Sequence, residues 1–166
     1  AIAAFTEQAP DVRLHLHVGS IQDIERGVID GSFAVGVIPE HRASASLRYQ
    51  RLFNETMHLY CGAGHPLFGA DHRRLDWAAL RRRGDALGYH SPNMALAHAQ
   101  RLPRQATGFE QEAIALLILS GRFVGFLPEH YAAPFVAGGQ MQAVAPARLH
   151  YGCDFVSVLR RSPQPS

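Results

Sequence analysis

The sequence predicts an α/β fold in which strands and helices alternate and the first strands lie parallel. Residues 12–18 alternate apolar and polar side chains, which is typical of a half-buried strand. Residues 33–38 form a short apolar run between Gly31 and Pro39, which predicts a buried strand. Because a helical pattern separates these two segments, they form a βαβ unit, and such a unit favours a parallel sheet.

The helix of this unit has clear start and stop signals. Ser20 is expected to be the N-cap, since a serine oxygen can accept a hydrogen bond from the amide of Asp23 in the first turn. Gly31 is expected to end the helix, because glycine adopts the left-handed C-cap conformation without strain. The buried stripe is predicted to consist of Ile21, Ile24 and Val28.

The second half of the chain again alternates strands and helices. The patterns predict strands at 57–61, 86–89, 123–127, 141–144 and 155–159, and helices at 75–83, 94–101, 109–120 and 129–136. Two α/β lobes joined by strand-like passages predict a cleft between the lobes. Ligands of such sheets bind beyond the carboxyl ends of strands, near helix N-termini.

Composition and charge exclude several classes of protein. The chain has 166 residues, 47% hydrophobic and 18% charged, so it can bury a core and is not a disordered segment. Its longest apolar run, 113–119, is too short to cross a membrane. A formal net charge of +2, with scattered arginines, gives no electrostatic case for nucleic-acid binding by these residues.

Neither a metal site nor a catalytic site is predicted. His15 and His17 share a strand face, but that face also carries Arg13, so a solvent-facing surface is the preferred interpretation over chelation. Cys61 and Cys153 match no zinc pattern and no disulfide scaffold, which favours structural thiols in a reducing, cytoplasmic setting. No nucleophile elbow and no acid–base constellation occurs, so the sequence indicates no enzyme and no cofactor.

Polar residues at predicted helix starts are the better candidates for a binding site. Ser20 and Ser91 each follow a predicted strand, and Thr107 with Glu110 forms a Thr-x-x-Glu capping box before an apolar helix. Each hydroxyl could bind a polar ligand group at the edge of a sheet. The alternative is that each residue only caps its helix.

The order of several short motifs resembles the effector-binding domain of LysR-type transcriptional regulators. These motifs extend along almost the whole chain: Gly19-Ser20, Ile29-Asp30-Gly31, Leu52-Phe53-x-Glu55, Leu59-Tyr60-Cys61-Gly62, His65-Pro66-Leu67 and the run from Ser120 to Pro128. The resemblance implies two Rossmann-like lobes joined by two crossover strands, as in type 2 periplasmic binding proteins.

The resemblance also implies how the chain is divided. Lobe I would comprise residues 1–57 and 155–166, lobe II residues 63–150, and the hinge crossovers residues 58–62 and 151–154. Cys61 and Cys153 would lie on the two crossovers, close to each other. Lobe I is expected to be incomplete, with a first strand and a last helix that belong to the parent protein.

The implied function is sensing of a small-molecule effector in the cleft, which would modulate DNA binding and transcription by the parent protein. DNA would be bound only through an N-terminal winged helix-turn-helix outside this sequence, and the protein would form a homodimer or homotetramer away from membranes. The alternative is a periplasmic solute-binding protein of a transporter.

The resemblance assigns effector contacts to Gly19, Ser20, Val37, Ile38, His90, Ser91, Thr107 and Phe109, and a dimer interface to Ile21, Ile24, Glu25 and Val28. Val37-Ile38-Pro39 supplies no basic residue to hold a dianionic effector.

Overall fold

A computed structural model describes residues 2–75, 78, 81, 86–88 and 104–161. Four helices and one short 3-10 helix have their bounds within these residues, and residues 78 and 81 are also helical. None of the described helices has the length and apolarity needed to cross a bilayer. The helices are α1 (Ile2–Gln8), α2 (Ile21–Asp30), α3 (Gln111–Leu119) and α4 (Glu129–Ala137), with the 3-10 helix at His72–Arg74. The strands are β1 (Gly36–Pro39), β2 (Leu47–Gly62), β3 (Ala86–Gly88), β4 (Arg104–Thr107), β5 (Val124–Pro128), β6 (Met141–Ala143) and β7 (His150–Arg160).

The strands form one sheet in the order β1-β7-β2-β5-β3-β4, with β6 beside the end of β2. The α/β fold class is confirmed, but the sheet is mixed rather than parallel at the start of the chain. β1 pairs antiparallel with β7, and the parallel pairs among the described strands are β3 with β4 and β3 with β5. The predicted parallel arrangement of the first strands is therefore wrong, because β1 takes β7 as its neighbour.

Three hydrophobic clusters define the two lobes. The core of the first lobe lies between α2 and the strands β1, β2 and β7. The second lobe has a cluster on each face of its sheet, since the consecutive residues Tyr60 and Cys61 of β2 point into different clusters. The first-lobe cluster consists of Val28, Ile38, Leu47, Val156 and Val158.

The long strands β2 and β7 connect the lobes. They pair antiparallel from Leu47 opposite Arg160 to His58 opposite His150, with one irregularity between Arg51 and Phe53. In this register, residues 151–154 lie opposite 54–57, whereas residues 57–62 pair with β5 and β6 of the second lobe. The two strands therefore pass between the lobes side by side.

Helix α2 forms as its sequence predicts. The hydroxyl of Ser20 accepts a hydrogen bond from the Asp23 amide at 3.2 Å, and Gly31 ends the helix with φ of 87°. Val28 is buried in the first-lobe cluster, and Ile21 and Ile24 pack against that cluster partly buried. Both caps and the apolar stripe are confirmed.

Residues 12–18 are not a strand, which corrects the sequence prediction. Their apolar side chains at Val12, Leu14, Leu16 and Val18 are exposed, and these residues pair with no other described strand. A strand requires hydrogen-bonding partners in a sheet, and alternation of side chains alone does not supply them.

The start of α3 also differs from the prediction. Thr107 is the last residue of β4, a strand that the sequence did not predict, and Glu110 is the N-cap without a side-chain hydrogen bond. The Thr107–Glu110 capping box is therefore wrong, because the helix begins beyond it. The predicted helix at 94–101 lies outside the described residues, and so does most of the one at 75–83.

Close contact between β2 and α3 fixes the second lobe. A Cβ atom at Gly62 would collide with the main-chain carbonyl of Ile118, so glycine allows the strand to approach the helix backbone. Ile118 is completely buried in the cluster on that face of the sheet. This face should therefore contribute strongly to stability.

We expect Ile118→Ala to lower the free energy of unfolding by about 2–5 kcal/mol, because it removes buried methyl groups and leaves a cavity. Leu116→Ala is the matched control, since Leu116 lies on the same helix and is 70% exposed; its effect should stay within about 0.5 kcal/mol. Urea unfolding followed by circular dichroism measures both values. Equal losses in the two variants would show that this packing is not what stabilises the lobe.

Candidate functional site

A cleft of about 770 Å³ lies between the two lobes. One wall comes from the first lobe, from the turn before α2, the first residues of that helix and the end of β1. The opposite wall comes from the second lobe, where the chain enters α3. The described residues that line it are His17, Val18, Gly19, Ser20, Ile21, Gln22, Asp23, Ile24, Val37, Ile38, Pro39, Phe109, Glu110, Gln111, Glu112 and Phe155. The volume is that of a site for a small molecule.

Hydrogen bonds within the first turn of α2 hold the first wall. The Ser20 hydroxyl accepts from the Asp23 amide and donates to the Asp23 carboxylate Oδ2 at 2.6 Å. Arg26 lies 3.7 Å from the other oxygen of that carboxylate on an exposed face. The ring of His17 stacks on Phe33 with 5.1 Å between centroids. Ser20 thus caps its helix and also faces the cleft.

Strand β1 supplies the apolar part of this wall. Ile38 is fully buried in the first-lobe cluster, so it anchors the strand. The side chain of Val37 lies on the opposite face of the strand from Ile38 and is 48% exposed at the cleft. Val35 is similarly exposed but is not one of the described lining residues.

The second wall depends on a tight turn at Gly108. A Cβ atom there would lie 2.8 Å from Cγ1 of Ile114, so only glycine lets the turn pack this closely on α3. The next side chain, Phe109, is 62% exposed and lines the cleft. Glu110 and Glu112 follow at the start of the helix, where carboxylates interact favourably with its dipole.

The structure brings together five of the eight residues predicted to contact an effector: Gly19, Ser20, Val37, Ile38 and Phe109. Thr107 is exposed at the end of β4 and is not among the described lining residues. His90 and Ser91 lie outside the described residues.

Sequence reasoning missed several lining residues. Glu110, Gln111 and Glu112 were assigned to the start of the helix predicted at 109–120, but they were not predicted to contact a ligand. Phe155 lies far along the chain, and β1–β7 pairing brings it opposite Pro39 at the cleft. The glutamates could have been found from their place beside a predicted loop, but no local signal marks Phe155.

No group of three or more histidine, cysteine or acidic side chains in the described part of the chain is arranged to hold a metal ion. The cleft wall instead combines apolar and aromatic side chains with a few polar groups. This composition is typical of sites that bind small organic molecules. Two lobes, paired crossover strands and an interlobe cleft define the class of type 2 periplasmic-binding-protein-like domains.

The chain belongs to the LysR substrate binding domain family, whose sequence model matches residues 1–166. A curated relative, the HTH-type transcriptional activator BauR of Pseudomonas aeruginosa, is 37% identical over 167 residues; the match covers 100% of this chain and 55% of BauR. The chain thus spans about half the length of that relative.

Solved structures of regulatory domains share the fold. The CcmR regulatory domain of Synechocystis PCC6803, solved in complex with 2-PG, has a TM-score of 0.75 and 17% identity, with 99% of this chain and 82% of that chain covered. The OxyR2 regulatory domain of Vibrio vulnificus, as a C206S mutant, has a TM-score of 0.75 and 10% identity, with coverage of 98% and 80%.

The residues predicted to form a dimer interface on α2 make contacts within the first lobe. Val28 is buried, and Ile21 and Ile24 pack against the first-lobe cluster. Glu25 accepts a hydrogen bond from the Tyr49 hydroxyl at 2.8 Å and lies 3.4 Å from Nε2 of His41. The dimer assignment of these four residues stays a prediction.

The two cysteines are buried, free and far apart. Cys153 lies opposite Glu55 on β2, and Cys61 is six residues further along that strand, about 20 Å at the usual rise per residue. The expectation that the two thiols lie close together is therefore wrong. Burial raises the pKa of each thiol to about 11, and at Cys153 the neighbouring Glu55 and Asp154 add to the shift.

We expect both thiols to be unreactive in the folded protein. At pH 8 a thiol with a pKa of about 11 is ionised in about one molecule in a thousand, and only the thiolate is nucleophilic. Titration with Ellman's reagent should give no rapid phase in the native protein and two thiols in denaturant. A rapid native phase, or a change in either cysteine after peroxide treatment, would contradict this expectation.

Glu55 is a partly buried carboxylate where the strands pass between the lobes. One oxygen, Oε1, lies 3.5 Å from Nδ1 of His130 on α4, and the other, Oε2, is buried without a hydrogen-bond partner in the described structure. Burial raises the pKa of this carboxyl above its ordinary value, and His130 offsets part of the shift.

This raised pKa makes Glu55 a source of pH-dependent stability. The folded protein retains the proton to a higher pH than the unfolded chain, so the stability contributed by Glu55 is present in acid and declines as pH rises through the folded pKa. We therefore expect the free energy of unfolding of the original protein to fall, relative to that of Glu55→Gln, as the pH rises through the pKa of Glu55 in the folded protein. Urea unfolding across pH measures the difference, with the exposed Glu7→Gln as control; parallel profiles for all three proteins would contradict it.

Proposed function

We propose that this domain senses a small-molecule effector, which binds in the interlobe cleft and changes how the parent protein binds DNA and controls transcription. The observation that supports the proposal most directly is a cleft with one wall on each lobe. A ligand that touches both walls binds most tightly at one particular separation of the lobes. It therefore shifts the population toward that arrangement, which is the basis of allosteric coupling.

The proposed effector contacts are Gly19, Ser20, Val37 and Phe109, whereas Ile38 supports this wall from the first-lobe cluster, where it is fully buried. Thr107 is not proposed as a contact, because it is not one of the described residues that line the cleft. The proposed hinge is the paired passage of residues 54–57 and 151–154, rather than 58–62, because these two segments lie side by side between the lobes.

The proposal extends to the whole protein. DNA is bound through an N-terminal winged helix-turn-helix, the protein acts in the cytoplasm as a homodimer or homotetramer, and the effector is bound without being converted. Family membership favours this regulator over a periplasmic solute-binding protein of a transporter. The relative BauR, which is almost twice as long as this chain, is an HTH-type transcriptional activator by name.

We expect a thermal-shift screen of small metabolites to give at least one compound that raises the melting temperature, because a ligand that binds the folded state stabilises it by mass action. Val37→Trp should abolish that shift, since an indole at this position fills part of the cleft. Val35→Trp is the matched control, because Val35 is 54% exposed two residues away and outside the described lining.

Equal shifts in the two tryptophan variants would contradict the assignment of the effector to this cleft. The regulatory part of the proposal is tested separately, with the parent protein and its operator DNA. An effector that shifts the melting temperature but leaves the affinity and footprint of the parent protein on DNA unchanged would contradict sensing.

A further inference from the structure

The charge of the cleft limits which compounds it can bind. Three carboxylates line it, Asp23 from the first lobe and Glu110 and Glu112 from the second. Among the described lining residues, His17 alone can carry a positive charge, and there is no arginine. Resting on the proposed function of the cleft, we propose that its effector carries a cationic nitrogen, an ammonium or guanidinium group, and that Glu110 and Glu112 recognise it.

The second wall carries most of this negative charge. Arg26 lies 3.7 Å from Asp23 and neutralises part of its charge, and the Ser20 hydroxyl already donates to that carboxylate. Glu110 and Glu112 form no ion pair with any residue in the described parts of the chain. Their charges are therefore available to a ligand.

The helix N-termini at the cleft do not reverse this charge. A free helix N-terminus favours an anion, because its amides and dipole present partial positive charge. Asp23 occupies the first turn of α2, and Glu110 and Glu112 are the N-cap and a first-turn residue of α3. Each N-terminus facing the cleft thus has its own carboxylate, and a second anion would be repelled.

Aromatic side chains in the same cleft point independently to a cation. Phe109 is 62% exposed, so no packing within the described structure accounts for its position. Phe155 also lines the cleft, and Phe53 holds its ring by stacking on it with 5.1 Å between centroids. The face of an aromatic ring attracts an ammonium or guanidinium ion, and carboxylates beside such rings add to this attraction.

The test is isothermal titration calorimetry with four probes that share a five-carbon chain: cadaverine, 5-aminovalerate, valerate and glutarate. We expect the two amines to bind, with cadaverine at least about tenfold tighter than glutarate, and the affinity for cadaverine to fall as salt is added. The double variant Glu110→Gln/Glu112→Gln should weaken cadaverine binding about tenfold. Glu7→Gln, an exposed charge change on α1, should leave it unchanged.

Three outcomes would overturn the inference. Glutarate or valerate binding in preference to the amines would reject the charge assignment, and the proposed function would survive if Val37→Trp abolished that binding. Amine binding that is unaffected by the double glutamine variant would show that the two glutamates are not the recognition groups. Failure of both amines to bind at millimolar concentration would reject the amine class, while the metabolite screen would still decide whether the cleft is a sensor.

Discussion

The structure depends on the antiparallel pairing of β2 with β7. These strands hydrogen-bond from Leu47 opposite Arg160 to His58 opposite His150, so their backbone groups are satisfied along the whole passage between the lobes. The first-lobe cluster contains residues of both strands, and the second lobe packs on the other end of β2. Because both lobes are built on the same two strands, the cleft between them has a defined width, and a change in the strands changes that width.

The sequence predicts those elements that depend on residues close together in the chain, and it fails for those that depend on distant partners. Helix α2 was predicted with its caps because Ser20, Asp23 and Gly31 act over three or four residues. The prediction of a strand at 12–18 was wrong because a strand is stable only beside a partner strand. Alternation of apolar and polar side chains does not reveal whether such a partner is present. The predicted start of α3 was wrong because the Thr107–Glu110 pattern is also compatible with the end of a strand followed by a turn.

The cleft was predicted in part, and chiefly through the resemblance. The resemblance assigned Gly19 and Phe109 to the effector site, and both line the cleft; local patterns could not assign Phe109, because the strand that precedes it was not predicted. Phe155 could not be assigned, since only the register of β1 against β7 brings it beside Pro39. The acidic character of the cleft was equally hidden, because it arises from residues of two lobes about 90 positions apart.

That distribution of charge connects ligand chemistry to lobe movement. Asp23 lies on one wall and Glu110 and Glu112 on the other, so a narrowing of the cleft would bring like charges together. An ammonium or guanidinium group placed between the walls replaces this repulsion with attraction on both sides, and it does so most strongly when the cleft is narrow. The proposed cationic effector would therefore have a higher affinity for a closed arrangement than for an open one. Such differential affinity is what a ligand needs in order to shift a conformational equilibrium, whereas an anion in the same cleft would oppose closure.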